Sequence, residues 1–290
     1  QLEWVHKFQP KVAMLLNITS DHLDRHKSVA NYAALKARIF ENQTAQDFAV
    51  VNADNPLAAS VIPTLAGRVL RFSTKSEVDE GGFLRADELY IKIDGREEFI
   101  CKRDEIPLIG AHNIENVLAA ACGARLLGAS PDSIRNAVLK MTPVEHRLEP
   151  VATIDGVLYI NNSMCTNLDA VVCSIDAIER PQIIIAGGKL KGDAQDFSPV
   201  GEAFSRRAKH VILIGDDSYV LRDAAIRANF DKLSDVESMY DAVYLARTLS
   251  KPGDVVVLTP GLASFDMFDN FEHRGTTFKQ IVTEMERGRT

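Results

Sequence analysis

An alternation of short apolar runs with helix-length stretches, in the second half of the chain, most constrains what it can fold into. Residues 182–186, 210–214 and 254–258 are largely apolar and of strand length; helical patterns occupy 198–208, about 220–228, about 236–249 and 268–285. Continuous apolar runs suit strands buried on both faces, and helices of this length between them make parallel crossovers. The architecture that accommodates both is α/β, a mostly parallel, doubly wound sheet. A hairpin pattern precedes it, over 148–154 and 157–160, with its turn at Asp155-Gly156.

The first half opens in the same way. Val12-Ala13-Met14-Leu15-Leu16 and Phe48-Ala49-Val50-Val51 read as buried strands, and between them a helix over about 29–42 carries the stripe Tyr32, Leu35, Ile39 and Phe40. Then the period shortens. Residues 68–72, 88–93 and 98–102 read as strands around turns at Gly81-Gly82 and Asp94-Gly95, with a hairpin on one side of the sheet. An alanine-rich helix over 113–127 follows. Ser130-Pro131-Asp132 opens another to about Lys140, the serine capping free amides and the proline suiting the first turn. Thr142-Pro143 is the expected boundary between two α/β units, 1–142 and 143–290.

At 290 residues and 46% hydrophobic, the chain can fill two cores. Its net charge of −7 argues against nonspecific attraction to nucleic acid or an acidic membrane, while leaving room for a small basic pocket. No apolar run approaches the roughly 20 residues that cross a bilayer, and no signal segment opens the sequence. Cys101, Cys122, Cys165 and Cys173 lack Cys-x-x-Cys spacing, which favours a reducing cytoplasm over disulfides or zinc.

Polar clusters follow several of these strands, at the carboxyl ends where open α/β sheets place ligands. Asp21, His22, Asp24 and His26 suit a divalent cation beside phosphates, or a solvated loop with a capping aspartate. Lys36 reads from its surroundings as a snorkelling lysine. Asn113 and Asn116 share a helix face and suit a purine edge, or an N-cap and a surface amide. Arg147, next to the expected boundary, suits a nucleotide phosphate or ribose, or an interdomain ion pair. Asn161-Asn162-Ser163-Met164-Cys165-Thr166-Asn167 crosses from strand to helix, an anion-binding arrangement in which Cys165 makes a poor nucleophile. Gly187-Gly188-Lys189-Leu190-Lys191-Gly192 and Thr259-Pro260-Gly261-Leu262-Ala263-Ser264 fall on one rim, offering cations and a hydroxyl to an acidic small molecule. No G-x-x-x-x-G-K-[ST] loop occurs.

Taken in order, Asn17-Ile18-Thr19-Ser20-Asp21-His22-Leu23-Asp24, Tyr32-Ala33-Ala34-Leu35-Lys36, His112-Asn113-Ile114-Glu115-Asn116, His146-Arg147, Asp196-Phe197-Ser198-Pro199, Pro260-Gly261-Leu262-Ala263-Ser264-Phe265-Asp266 and Asn270-Phe271-Glu272-His273-Arg274-Gly275 resemble the motifs of the Mur ligases, in the branch that adds D-glutamate. The resemblance spans essentially the whole chain. It implies a domain for the UDP portion of the substrate, a central ATP-binding domain and a Rossmann-like domain for the amino acid. Residues 1–142 would then be a partial central domain, its Walker loop and one magnesium-binding glutamate expected before Gln1, and 143–290 the amino-acid-binding ligase domain. The missing N-terminal portion would be needed for turnover, so the chain alone is expected to be inactive.

The resemblance also implies roles. His22 is a magnesium ligand and Lys36 a carbamylated lysine that positions the metal; Asn113, Asn116, Arg147 and Asn162 face ATP. Gln1 contacts the muramoyl substrate, while Thr166, Lys191, Ser264 and Phe271 seat D-glutamate. One loop departs from the family's Asn-Asp-Ser-Lys-Ala-Thr-Asn: Asn162 replaces an acid and Met164 a lysine, a charge that Lys189 could supply. The implied reaction uses ATP and Mg2+ to turn the carboxylate of UDP-N-acetylmuramoyl-L-alanine into an acyl phosphate that D-glutamate attacks, in cytoplasmic peptidoglycan synthesis. Alternatives are a Mur-type or folylpolyglutamate-type ligase for another amino acid, and a noncatalytic ligand-binding homologue.

Overall fold

A computed structural model describes residues 2–19, 23–190 and 196–288. The chain divides into two compact units, Gln1–Thr142 and Pro143–Thr290.

In the first unit a 3-10 turn, Leu2–Trp4, precedes β1 (Val12–Leu15), α1 (Leu23–His26), α2 (Val29–Ala37), β2 (Phe48–Asn52), α3 (Pro56–Ala59), β3 (Arg68–Ser73), β4 (Gly81–Arg85), β5 (Glu88–Ile93), β6 (Arg96–Lys102), α4 (Ala111–Leu126) and α5 (Pro131–Leu139). The strands lie in sequence order; β1 to β4 pair in parallel, and β4 to β6 antiparallel. Successive residues serve opposite faces. Val50, Leu70 and Phe72 are enclosed with α4 residues Ile114, Val117 and Leu118. Ala49 and Val51 lie on the other side with Phe40, Tyr32 and Ala33. Ser28, Asn55 and Ser130 cap α2, α3 and α5 through their side-chain oxygens.

Three expectations change here. The helix over 29–42 ends at Ala37 and tightens into a 3-10 turn, Arg38–Phe40. Gly81-Gly82 opens β4 rather than making a turn. Gly81 has φ 128°, and a Cβ there would stand 1.7 Å from the Arg71 carbonyl oxygen, so close strand approach explains the glycine. Helix α4 begins at Ala111 with Gly110 as its cap, which places Asn113 inside the first turn rather than at the cap.

The second unit contains β7 (Glu149–Ile154), β8 (Val157–Asn161), α6 (Leu168–Asp176), β9 (Gln182–Gly187), α7 (Ser198–Arg207), β10 (Ala208–Ile214), α8 (Tyr219–Arg227), β11 (Leu233–Asp235), α9 (Met239–Leu249), β12 (Val255–Gly261) and α10 (Phe271–Glu286). The order across its sheet is β11-β10-β9-β12-β8-β7, parallel except for the β7–β8 hairpin. One margin is the three-residue β11; the other is β7, whose register shifts between Pro150 and Ala152. Helices α9 and α10 bury Val243, Ala246, Phe278 and Val282 against Tyr159, Ile183, Ile185, Val256 and Leu258. The connection leaving β9 enters α7, which packs with α6 and α8, whereas β12 leads to α10 beside α9. Adjacent strands β9 and β12 thus send their carboxyl-end loops into different helix groups, a topological switch point where such sheets open a crevice. Strand β11 escapes the sequence pattern because three residues are too few to show a period. Ser238 and Asn270 cap α9 and α10 three residues after their expected starts.

Candidate active site

The loops leaving β8, β9 and β12 meet at this crevice in the second unit. Lys189 and Ala263 exchange backbone hydrogen bonds, 2.8 Å from the Lys189 amide and 2.9 Å from that of Ala263, joining the glycine–lysine loop to the serine loop. Gly188 makes the approach possible. Its φ is 129°, and a Cβ would fall 2.0 Å from the Ala263 carbonyl oxygen. Ser264 is only 3% exposed, and its hydroxyl has no hydrogen bond among the described residues. Phe271 is half-buried at the first position of α10, and the His146 ring meets it edge-on at 6.0 Å. Thr166 is half-buried just before Asn167, which caps α6 by accepting from the Asp169 and Ala170 amides.

Arg274 ties these pieces together. Although its guanidinium belongs to a residue only 1% exposed, Nε donates to Ser163 Oγ, Nη2 to the Ser163 carbonyl and Nη1 to the Leu262 carbonyl, each at 3.1 Å. Ser163 Oγ in turn donates to the Phe271 carbonyl at 2.7 Å. Burial draws the Arg274 pKa down to about 10, against the opposing pull of Asp266, so the group stays charged at neutral pH. Sequence reasoning assigned it no role. The signal was available: positions 271, 274, 278, 282 and 285 form one helix stripe, and Arg274 is its single charged member.

Two expected residues are engaged by partners within the unit. Asn162 is 2% exposed; its carbonyl accepts from the Leu148 amide, and its amide donates to Ser174 Oγ at 3.0 Å and Thr259 Oγ1 at 3.4 Å. Those bonds turn the Asn162 side chain into the unit's interior. The Lys189 ammonium, which could supply the loop's missing charge, stands 3.1 and 3.7 Å from Asp216 and Asp217. The Asp216 hydrogen bond and both charges raise its pKa. Met164 is 38% exposed and Arg147 is exposed, its guanidinium making no ion pair among the described residues. Burial pushes the Cys165 thiol up to about 12, which agrees with its poor standing as a nucleophile. Lys191 lies outside the described residues.

In the first unit, Lys36 is half-buried on α2 with its ammonium 5.0 Å from the centre of the Tyr32 ring, and His26 stacks on the same ring at 5.1 Å. Asn116 donates to Asn113 Oδ1 at 3.2 Å, and Asn113 donates to the Ile109 carbonyl at 2.8 Å. The two amides are therefore set as a coupled pair. Beside them, Glu115 accepts from Asn52 at 3.2 Å; burial and the nearby Asp54 raise its pKa. Gln1 and His22 lie outside the described residues, and no group of three histidine, cysteine or acidic side chains stands in metal-binding proximity among the described ones. No helix among them is long and apolar enough to cross a membrane.

Comparison with known proteins matches two domains along the chain. The Mur ligase middle domain matches residues 1–124, and the Mur ligase glutamate ligase domain matches 146–262. The UDP-N-acetylmuramoylalanine–D-glutamate ligase of Pelotomaculum thermopropionicum is 42% identical over 288 residues, 99% of this chain and 63% of that protein. Its counterpart in Thermoanaerobacter sp. strain X514 is 41% identical over 289 residues, with the same coverage. The chain thus spans about 63% of the length of these relatives. Among solved structures, the UDP-N-acetylmuramate-alanine ligase MurC of Thermotoga maritima has a TM-score of 0.66 at 15% identity, covering 96% of this chain and 61% of that one. The MurF ligase of Thermotoga maritima in complex with ADP has a TM-score of 0.65 at 17% identity, covering 97% of this chain and 64% of that one. These two show the fold; the relatives above 40% identity and the two matched domains carry the assignment. The chain belongs to the Mur ligase family.

Proposed function

We propose that this chain is part of an ATP-dependent ligase that adds D-glutamate to UDP-N-acetylmuramoyl-L-alanine in peptidoglycan synthesis, within the cytoplasm. The observation that carries the reading is the junction of the β8, β9 and β12 loops: Lys189 and Ala263 pair directly, and Arg274 binds Ser163 and Leu262. The joining of the segments that carry Thr166, Ser264 and Phe271, in a chain 42% identical to a ligase of that name, supports the reading. Residues 1–142 would act as a partial ATP-binding domain and 143–290 as the amino-acid-binding domain.

The unbonded hydroxyl of Ser264 and the side chain of Thr166 suit carboxylate oxygens, and Phe271 supplies an apolar wall. Lys191 would add a cation. Asn113 and Asn116, already coupled, would meet the adenine, and Arg147, which makes no ion pair among the described residues, a phosphate or ribose. ATP would transfer its terminal phosphoryl group to the muramoyl-alanine carboxylate, releasing ADP; the neutral D-glutamate amine would attack the acyl carbon and lose a proton to solvent, forming the amide as phosphate leaves with the carbon–oxygen bond electrons. Pocket hydroxyls and cations would hold the amino acid with its amine directed at that carbon. Mg2+ would neutralise phosphate charge. As an ammonium Lys36 is no metal donor; a carbamate on its Nζ would make it one, beside His22. Gln1 would face the muramoyl group.

The test is phosphate release by the full-length protein with ATP, Mg2+, UDP-N-acetylmuramoyl-L-alanine and a panel of amino acids. D-glutamate-dependent release supports the reading; preference for L-glutamate or another amino acid, or no ligation with binding retained, overturns it.

A further inference from the structure

We propose that Arg274 is the positioning residue of the acidic amino-acid pocket, locking its loops together and lending it a buried positive charge. The inference rests on the D-glutamate reading above. Its three hydrogen-bond partners are neutral oxygens, two on Ser163 and one on Leu262. Through Ser163 Oγ the bonding continues to the Phe271 carbonyl. Gly188 completes the set, since a Cβ on it would lie 3.2 Å from Arg274 Nη1. One side chain therefore touches or reaches the segments that carry Thr166, Ser264 and Phe271, and the loop that leads to Lys191.

Packing alone does not call for a guanidinium here. Buried ions are expensive, and replacing one by an apolar side chain of similar volume is often neutral or stabilising. Arg274 is 1% exposed and has only neutral hydrogen-bond partners, while the carboxylate that acts on it, Asp266, turns one oxygen to the Asp216 amide at 3.0 Å. A dicarboxylic amino acid at the rim would bring negative charge towards this region, where low dielectric lengthens the reach of a buried cation. Such an arrangement favours an acidic ligand over a neutral one. The planar fork also fixes the spacing of two loops, which a point charge would do less well.

The experiment compares the full-length protein with Arg274→Met, Arg274→Lys and Ser163→Ala, measuring melting temperature, kcat and KM for all three substrates. A folded Arg274→Met should raise the D-glutamate KM roughly tenfold or more while leaving that for ATP within about twofold. Arg274→Lys should recover roughly half of that loss on a logarithmic scale, and Ser163→Ala should raise the D-glutamate KM about threefold. Equal rises in every KM, identical behaviour of the Met and Lys variants, or an unchanged D-glutamate KM in Arg274→Met each overturns the proposal. If Arg274→Met does not fold, an unchanged D-glutamate KM in both Arg274→Lys and Ser163→Ala overturns it. A parent protein that ignores D-glutamate sinks the functional reading and this inference together; a competent parent with an indifferent variant sinks the inference alone.

Discussion

Lys189 and Ala263 hydrogen-bond to each other twice, amide to carbonyl, although 74 positions separate them. The pair fastens the β9 loop to the β12 loop, and it exists because Gly188 lets the two backbones touch.

Gly188→Ala should break that contact. The new methyl would collide with the Ala263 carbonyl, and the residue's φ of 129° is one that L-residues rarely adopt. A loss of about 2 kcal/mol or more in urea unfolding is expected. Any folded fraction should bind D-glutamate poorly by calorimetry. Wild-type stability would contradict the close approach.

Asn162→Asp restores the acid found at this place in the family pattern, yet it should destabilise this chain. Aspartate cannot donate to Ser174 and Thr259, so both hydroxyls must turn to donate to it instead, and the change buries a charge. A loss of about 2 kcal/mol is expected at neutral pH. Met164→Lys, at an exposed position, should change stability by less than about 0.5 kcal/mol and leave ligation equal or faster. Paired denaturation curves and initial rates check both.

Lys36→Arg keeps a cation able to lie over Tyr32 but removes the amine that could carry a carbamate. Ligation should fall about a hundredfold or more while the melting temperature stays near wild type. Retained turnover would remove the carbamate from the mechanism.

Glu115 should make stability depend on pH. Burial and Asp54 raise its folded pKa above its unfolded value, so the folded state holds the proton to higher pH. Its contribution therefore weakens as pH rises from the ordinary carboxylate range through the raised value, and is constant above it. Glu115→Gln should flatten that slope and raise the melting temperature at neutral pH. Melting curves at pH 4.5, 6 and 7.5 decide it; an unchanged slope excludes Glu115 as the source.

Much of the architecture could be read from the residues. The apolar run at 182–186 and the Asp155-Gly156 turn became β9 and the β7–β8 hairpin because period and turn chemistry act locally. Gly81-Gly82 misled because a glycine pair marks a turn as readily as a close strand crossing, and only the Arg71 carbonyl distinguishes them. The site divides on the same line. Ser264 and Phe271 announced themselves by motif, whereas the inward turn of Asn162 and the capture of Lys189 by Asp216 and Asp217 depend on partners distant in sequence. Arg274 was visible as a charge on an apolar helix stripe, but its meaning came only with Ser163 and Leu262 in place.

The margins of the second sheet carry a different consequence. A visiting strand would find three residues to pair with along β11 and, along β7, a segment interrupted at Pro150, which has no amide hydrogen to give. Neither border is a good template for extending the ladder into a neighbouring molecule. Self-association by strand addition is discouraged at both flanks, so crowding should not draw copies together through this sheet.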